Sequence, residues 1–306
     1  MTEAPTPHDS PLVALVALAA RAQAEIARLV AEPLAGGLYL VATPIGNLGD
    51  ITLRALSVLA RADVIYCEDT RHSLTLTAHY SITTHLKPYH EHNGARERPK
   101  ILEALGQGRR IALISDAGTP LISDPGYKLV REAVAAGHRV ESLPGPSAAL
   151  TALTVSGLPT DAFHFAGFLP VRSTARRNRI RELAAIPATL ILFEAPGRIA
   201  EALADLAHVL GERPAAVARE LTKRFETIER GTLGELAARF EQAGEAKGEI
   251  AILVGPPGEQ EVGDEVIAAA LATALTTMSL RDGARAVADT LGVPKSRVYE
   301  IGLKQK

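Results

Sequence analysis

Three short segments concentrate the residue types that can grip a small molecule. They are Thr43-Pro-Ile-Gly-Asn-Leu-Gly-Asp50, Ser115-Asp-Ala-Gly-Thr-Pro120 running on to Gly126, and Pro144-Gly-Pro-Ser147. Gly46 and Gly118 allow main chain to approach a ligand closely, because no Cβ stands in the way. Asp116 can accept hydrogen bonds from a ribose or an amine. No Gly-x-Gly-x-x-Gly follows the first apolar run, and no Gly-x4-Gly-Lys-Ser/Thr occurs. A ligand without phosphates therefore suits these segments better than a nucleotide. Any one of them reads as an ordinary turn; three on one edge of a sheet favour a binding site.

That edge must come from the elements in front of the segments. Apolar runs at 38–42, 64–67, 111–114 and 139–143 read as strands, with helical stretches starting near Thr52, at 95–105 and at 126–136. Strands that alternate with helices and are apolar throughout predict a parallel sheet buried on both faces. Its ligands bind at the carboxyl ends of the strands. Pro144-Gly-Pro-Ser147 marks a junction, with Ser147 capping the next helix. Further strands are expected at 163–168, 189–193, 215–221, 226–229 and 250–254. The strand at 226 follows its predecessor by a tight turn, so the second sheet should be mixed. The expected organisation is an N-terminal extension at 1–36, α/β domains at 37–145 and 146–257, an acidic linker to Asp264, and a helical tail at 264–306.

The 306 residues fit about two domains of roughly 150 each. Apolar residues make up 47% and charged ones 22%, which supports a buried core and argues against a disordered chain. A net charge of -2 excludes an overall positive coat. It leaves room for a local basic patch, since charges act within about 10 Å. Cys67 is the single cysteine, so no intrachain disulfide and no multi-cysteine metal site can form. A reducing cytoplasm is the expected location. No apolar run approaches the ~18 residues of a membrane span. The run Leu12–Ala20 ends at Arg21 and lacks a positive segment before it, unlike a secretory signal. Pro11–Glu32 reads as an amphipathic or loosely attached helix behind a poorly ordered tail.

Several strings resemble those of the ribosomal RNA small subunit methyltransferase I family, within the tetrapyrrole methylase fold. These are Thr43-Pro-Ile-Gly-Asn-Leu-Gly-Asp-Ile-Thr52, Glu68-Asp-Thr-Arg-His72, Ser115–Gly126, Leu143-Pro-Gly-Pro-Ser147 and Ala218-Arg-Glu-Leu-Thr-Lys223. The resemblance runs from Gly37 to the C-terminus. It implies two α/β domains, the first mainly parallel and the second mixed, with a small helical C-terminal domain. It also implies S-adenosylmethionine as cofactor, a cytidine ribose 2'-hydroxyl in the decoding region of small-subunit ribosomal RNA as acceptor, and a homodimer. Carried over by residue, Thr43, Pro44 and Gly46 flank the cofactor. Asp116, Gly118 and Thr119 line its methionine and ribose, and Ser147 and Ala148 lie beneath it. Phe193, Ala218 and the backbone around Glu249 enclose the adenine. A tetrapyrrole C-methylase of the same fold and an inactive ribosome-binding homologue are the alternatives.

One departure stands out. Phe193-Glu-Ala-Pro-Gly-Arg198 carries Gly197 where the family usually has His. A role that rests on that His does not carry over to this chain. A ribose hydroxyl is a poor acid, so a base or an oxyanion stabiliser helps the transfer. Glu194 and Lys223 lead the candidates, with Asp69 and Glu220 beside them; each also reads as a helix cap or an ion-pair partner. For RNA, Arg172, Arg176, Arg177, Arg179 and Arg181 predict a positive helical ridge. Arg54 and Arg71 sit by the strand-end segments, and Tyr89 and His90 offer stacking groups. His90-x-His92 lacks a third ligand, so no metal is expected. Ser279–Leu303 resembles a small helix-turn-helix with basic residues in excess, including Lys304 and Lys306 just beyond it.

Overall fold

The computed structural model describes residues 11–244, 246–258 and 263–304. Contacts divide the chain into one unit ending at Pro256 and a second from Pro257.

The first sheet of the larger unit contains β1 (Gly37–Val41), β2 (Val64–Cys67), β3 (Leu86–Pro88), β4 (Arg110–Ile114) and β5 (Val140–Leu143). All neighbours are parallel, in the order β3-β2-β4-β1-β5. Period-two alternation supplies both faces. Tyr39, Val41, Ile65, Ala112 and Ile114 point one way, onto Leu56 and Leu59 of α2 (Leu53–Arg61) and Leu76 of α3 (Thr70–His79). Leu38, Tyr66, Ile111 and Leu113 point the other way, onto α4 (Gly94–Gly106) and α5 (Tyr127–Ala135). Because all five strands run in one direction, every strand-end loop emerges on one edge. α1 (Pro11–Ala31) packs beside α2, and Ile26 reaches the core. Val13, Leu15, Val16 and Leu18 near its start are exposed. The expected tail before Pro11 and most of the acidic linker lie outside the described residues.

The second sheet contains β6 (Phe163–Phe168), β7 (Thr189–Glu194), β8 (Pro214–Arg219), β9 (Thr227–Thr232) and β10 (Ile250–Val254). Its order is β6-β7-β10-β8-β9, with β6 and β7 parallel and the rest antiparallel. It is mixed, as the tight turn before β9 predicts. Central β10 is buried throughout. α7 (Ser173–Leu183), α8 (Ile199–Leu210) and α9 (Leu233–Ala243) cover one face, and α6 (Ala148–Ser156) covers the other. The run expected as a strand to Leu221 stops at Arg219, because Glu220 and Thr222 adopt left-handed backbone at φ 54° and 63°.

In the second unit, α10 (Asp264–Leu275), α11 (Leu280–Leu291) and α12 (Lys295–Lys304) pack around Ile267, Leu271, Val287 and Val298. Ser279 caps α11 by accepting from Asp282 N at 3.2 Å. Gly292 closes α11 in the left-handed region at φ 65°. Lys306 lies outside the described residues.

Asp63 ties α2 to β4. It accepts from Arg110 N at 2.7 Å and from Arg110 Nε and Nη2 at 3.2 and 2.7 Å. The Arg110 guanidinium holds its carboxyl below the usual range. A carboxyl depressed on folding stabilises the fold above its unfolded pKa, and that contribution fades as pH falls through the folded value. Asp63→Asn is expected to cost about 1 kcal/mol at neutral pH and to flatten stability below ~pH 4, as read by urea melts across pH.

Candidate functional site

Backbone pairing knits the strand-end loops of the first sheet together. Thr43 N donates to Gly118 O at 2.9 Å, and Gly118 N returns a bond to Thr43 O at 3.0 Å. Thr43 Oγ1 donates to Ser115 O, and Thr119 Oγ1 donates to Pro146 O. Gly118 sits at φ 82°, and a Cβ there would meet Ile45 Cγ2 at 3.2 Å. A residue with a side chain would therefore be strained twice, by backbone and by contact.

Two cavities open where these loops face the second sheet. The first, of about 380 Å³, has apolar walls from Ile45, Ile122, Phe168, Phe193, Leu221 and Ala251. Its charged residues are Asp116, Asp124, Glu194 and Glu249; among the described residues no Lys, Arg or His lines it. Phe193 packs edge-on against Phe165 and Phe168, with ring centroids 5.0 and 5.8 Å apart. The second cavity, of about 390 Å³, is lined by Thr43, Pro44, Gly46, His72, Ser73, Thr75 and Lys223 among others. The two share Ile45, Asp116, Ala117 and Glu249. A third, more open groove holds Glu68, Asp69, Arg71, His90 and His92, and also touches Asp116. Asp116 thus stands where all three meet. Its Oδ1 accepts from Asp69 N at 3.1 Å.

Electrostatics separate the remaining acids. Arg71 donates from Nε and Nη2 to Asp69, which with backbone N–H bonds brings that carboxyl to about 2. Lys223 Nζ donates to Glu220 at 2.8 Å and to Glu249 at 3.2 Å. Burial alone would lower the Lys223 pKa, but Glu220 and Glu249 together outweigh it and raise it. The Lys223 bond in turn lowers Glu220. Burial raises Asp124, with the Ser115 hydroxyl opposing and Asp116 reinforcing the shift. Desolvation, with the like charges of Asp116 and Asp124, raises Glu68.

Left-handed backbone at Leu121 and Ser123 on one side, and at Glu220 and Thr222 on the other, brackets the cavities. Such strain concentrates at ligand clamps.

Residues 37–237 match the family model described as Tetrapyrrole (Corrin/Porphyrin) Methylases, and residues 261–306 match the RsmI C-terminal HTH domain. Ribosomal RNA small subunit methyltransferase I of Mesorhizobium japonicum is 58% identical over 227 residues, 74% of this chain and 77% of that one. The protein of the same name from Micromonospora olivasterospora is 47% identical over 285 residues, 91% of this chain and 90% of that one. The chain belongs to the ribosomal RNA small subunit methyltransferase I family. The fold is shared with uroporphyrin-III C-methyl transferase from Thermus thermophilus, solved in complex with S-adenyl homocysteine. That structure is 23% identical with a TM-score of 0.50, covering 72% of this chain and 97% of that one.

In this chain, Thr43, Pro44, Gly46, Asp116, Ala148, Phe193 and Glu249 all line the paired cavities. Gly118 and Thr119 act one layer back, holding loops together. Ser147 caps α6 by accepting from Leu150 N. Ala218 corrects an expectation: it is 1% exposed, inside the core, with Ala251 of the neighbouring strand forming the wall instead. Glu194 is 3% exposed, and its oxygens accept from Ala195 N at 2.8 Å and Arg198 Nη2 at 2.9 Å. Arg198 Nη2 also donates to Leu169 O, so Glu194 pins the loop after β7. Lys223 is a held cation, unsuited to act as a base. A Cβ built on Gly197 meets nothing within 4 Å, so Gly in place of His leaves the packing intact.

The arginine ridge needs correction too. Arg176 is 1% exposed and bonds Asp205, Glu201 and the Val171 carbonyl, so no phosphate can reach it. Arg177 also bonds Asp205, Arg179 bonds Glu182, and Arg181 bonds Asn178. Arg172 is exposed at the start of α7. Tyr89 is buried against Tyr66 and cannot stack on a base. Arg54 bonds Glu141, while Arg71 and His90 line the open groove. No metal-holding cluster occurs among the described residues. Ser73, His72, Ile122, Asp124, Phe168 and Leu221 were not foreseen as site residues.

Proposed function

We propose that the chain transfers a methyl group from S-adenosylmethionine to the ribose 2'-hydroxyl of a cytidine in the decoding region of small-subunit ribosomal RNA. The observation that carries this reading is the first cavity, with its apolar walls, four carboxylates and, among the described residues, no basic side chain. Such a lining repels phosphate and suits a donor whose sulfonium and ammonium are cationic. Its volume is in the range of small-molecule sites, about 300–1,000 Å³. The fold relative's complex with S-adenyl homocysteine and the names of the sequence relatives support the same reading.

When bound, S-adenosylmethionine supplies an activated methyl group. Phe193, Ala148 and Ala251 would enclose the adenine, and the Asp116 loop would hold the ribose and methionine. Thr43, Pro44 and Gly46 would bound the acceptor side. Of the nearby acids, Asp69 and Glu220 are held by cations, and Glu194 is held within its own loop. Asp116, common to both cavities, is the base in this reading: Asp69 N fixes its Oδ1, and its Oδ2 would take the hydroxyl proton. General-base assistance of this kind contributes about 10²–10⁴ in rate, and alignment contributes further. Arg71 and His90 would contact RNA at the open groove and Arg172 further out, while Arg54, Arg177 and Arg179 would join by exchanging Glu141, Asp205 and Glu182 for phosphate. The enzyme would act on ribosomal particles in the cytoplasm, as a homodimer.

The test is incubation of undermodified small subunits with methyl-labelled donor, followed by mapping. Label is expected on one cytidine ribose, suppressed by excess S-adenosylhomocysteine. Label on a uroporphyrinogen instead of RNA would favour the tetrapyrrole alternative, and absence of donor binding would favour an inactive ribosome-binding protein.

A further inference from the structure

The second cavity lies across a shared wall from the first, and its chemistry differs. Lys223 and His72 line it, so it is not purely anionic. It also holds Ser73, which is 3% exposed and whose Oγ has no hydrogen-bond partner. The polar group beside it is the Cys67 thiol, on which the Ser73 hydroxyl acts weakly, opposing the rise that burial gives the thiol; the thiol's own hydrogen goes to Lys87 O at 3.7 Å. A sulfur is in any case a weak acceptor. A buried hydroxyl without a partner is uncommon in folded proteins and calls for an explanation. Gly46 keeps this space open on one side: a Cβ there would lie 2.3 Å from Lys223 Cγ and 2.9 Å from Leu221 O.

Methyl transfer requires donor and acceptor chambers that meet at one point, with reacting atoms about 3–3.5 Å apart. The two cavities meet at Asp116 and Ala117. Enzymes that do chemistry on a base take it out of the stack into a snug pocket and read it by hydrogen bonds, and a ribose hydroxyl that must reach a donor inside a cleft makes the same demand on its nucleotide. We propose that the second cavity receives the target nucleoside, unstacked from its RNA, with Ser73 hydrogen-bonding it, Lys223 and His72 bordering it, and its ribose hydroxyl at the Asp116 wall. This rests on the function proposed above and assigns the acceptor half of the site. The open groove with Arg71 and His90 also reaches Asp116, which gives the flanking strand a path. Recognition here is through hydrogen bonds and aliphatic walls, because no Phe, Tyr or Trp lines the second cavity among the described residues.

The experiment uses the full chain with undermodified small subunits, with S-adenosylhomocysteine as the donor-side probe. Ser73→Val replaces the hydroxyl by a methyl and adds a second methyl at the cavity wall, and Ser73→Ala removes only the hydroxyl. Loss of one hydrogen bond to the nucleoside should lower kcat/KM of Ser73→Ala by about tenfold, chiefly through KM. Ser73→Val should lower it further. Calorimetry should give wild-type affinity for S-adenosylhomocysteine in both. A fluorescent cytidine analogue at the target position, which brightens on unstacking, should brighten with wild type and not with Ser73→Val. Should Ser73→Val fail to fold, Ser73→Ala decides alone. Weakened S-adenosylhomocysteine binding in either variant would assign this cavity to the donor and overturn the proposal. So would wild-type kcat/KM and brightening in every folded variant. A wild-type chain that binds no S-adenosylhomocysteine, or labels no cytidine, would instead overturn the functional reading beneath it.

Discussion

Asp205→Ala should destabilise the larger unit by about 3–5 kcal/mol, the cost of leaving buried charge without its partner. Asp205 lies on α8, with 4% of its side chain exposed, facing α7. It accepts from Arg176 Nε at 2.6 Å, from Arg177 Nε, and from the Ser173 hydroxyl. Burial pushes the Asp205 carboxyl up, yet Arg177, Arg176 and Ser173 together bring it below the usual range, so it stays charged at neutral pH. Arg176 is equally enclosed, and its other partners are the Val171 carbonyl and the largely exposed Glu201. Removing the carboxylate strands the Arg176 guanidinium in the core, whereas Arg177 is partly exposed and can turn to solvent. Replacing both buried partners, as in Asp205→Leu with Arg176→Met, should recover much of the loss, because apolar residues fit such a site at little net cost. Urea melts would read the singles and the double, with midpoints compared at unchanged slope. A single-variant loss below about 1 kcal/mol would place the network among surface-type ion pairs and contradict this account.

The same network shows where sequence reasoning stops. Arg176 and Ile180 are four residues apart, so they share a helix face, and Ile180 is fully buried. The run of arginines gives the charge but not the face, and the acid that compensates Arg176 lies 29 residues further on. Strand β4 was legible because Ile111–Ile114 is apolar and buried on both faces. Edge strand β3 was not, because Leu86-Lys87-Pro88 is short and carries a proline. Helix α3 was missed because Thr, Ser and His fill much of it, and these are middling helix formers. Its cap Asp69 reads from sequence as a candidate base. In the site, the loops were legible from their Gly, Pro and Asp content. The walls were not. Phe168, Leu221 and Ser73 come from three separate segments outside those loops, and only the packing of the elements brings them to the cavities.

Asp116→Asn is the substitution expected to affect catalysis most. The amide keeps the size of the carboxylate, and its oxygen can still accept from Asp69 N, so the loop should hold its shape. What it loses is the ability to take up a proton. If Asp116 accepts the ribose proton, kcat on undermodified subunits falls by about 10²–10⁴. S-adenosylhomocysteine affinity should then stay within about threefold of wild type, because that ligand carries no sulfonium charge and the amide oxygen of Asn can still accept a hydrogen bond from it. The split between kcat and affinity separates the possible roles of this residue. A large loss of S-adenosylhomocysteine binding with proportionate loss of rate would make Asp116 a donor ligand. A rate within about threefold of wild type would mean that alignment alone drives the transfer and that the hydroxyl proton leaves to water. The first pattern is favoured by placement. Asp116 is common to the donor cavity, the acceptor cavity and the open groove, and the other candidate acids are bonded to Arg71, Lys223 or Arg198.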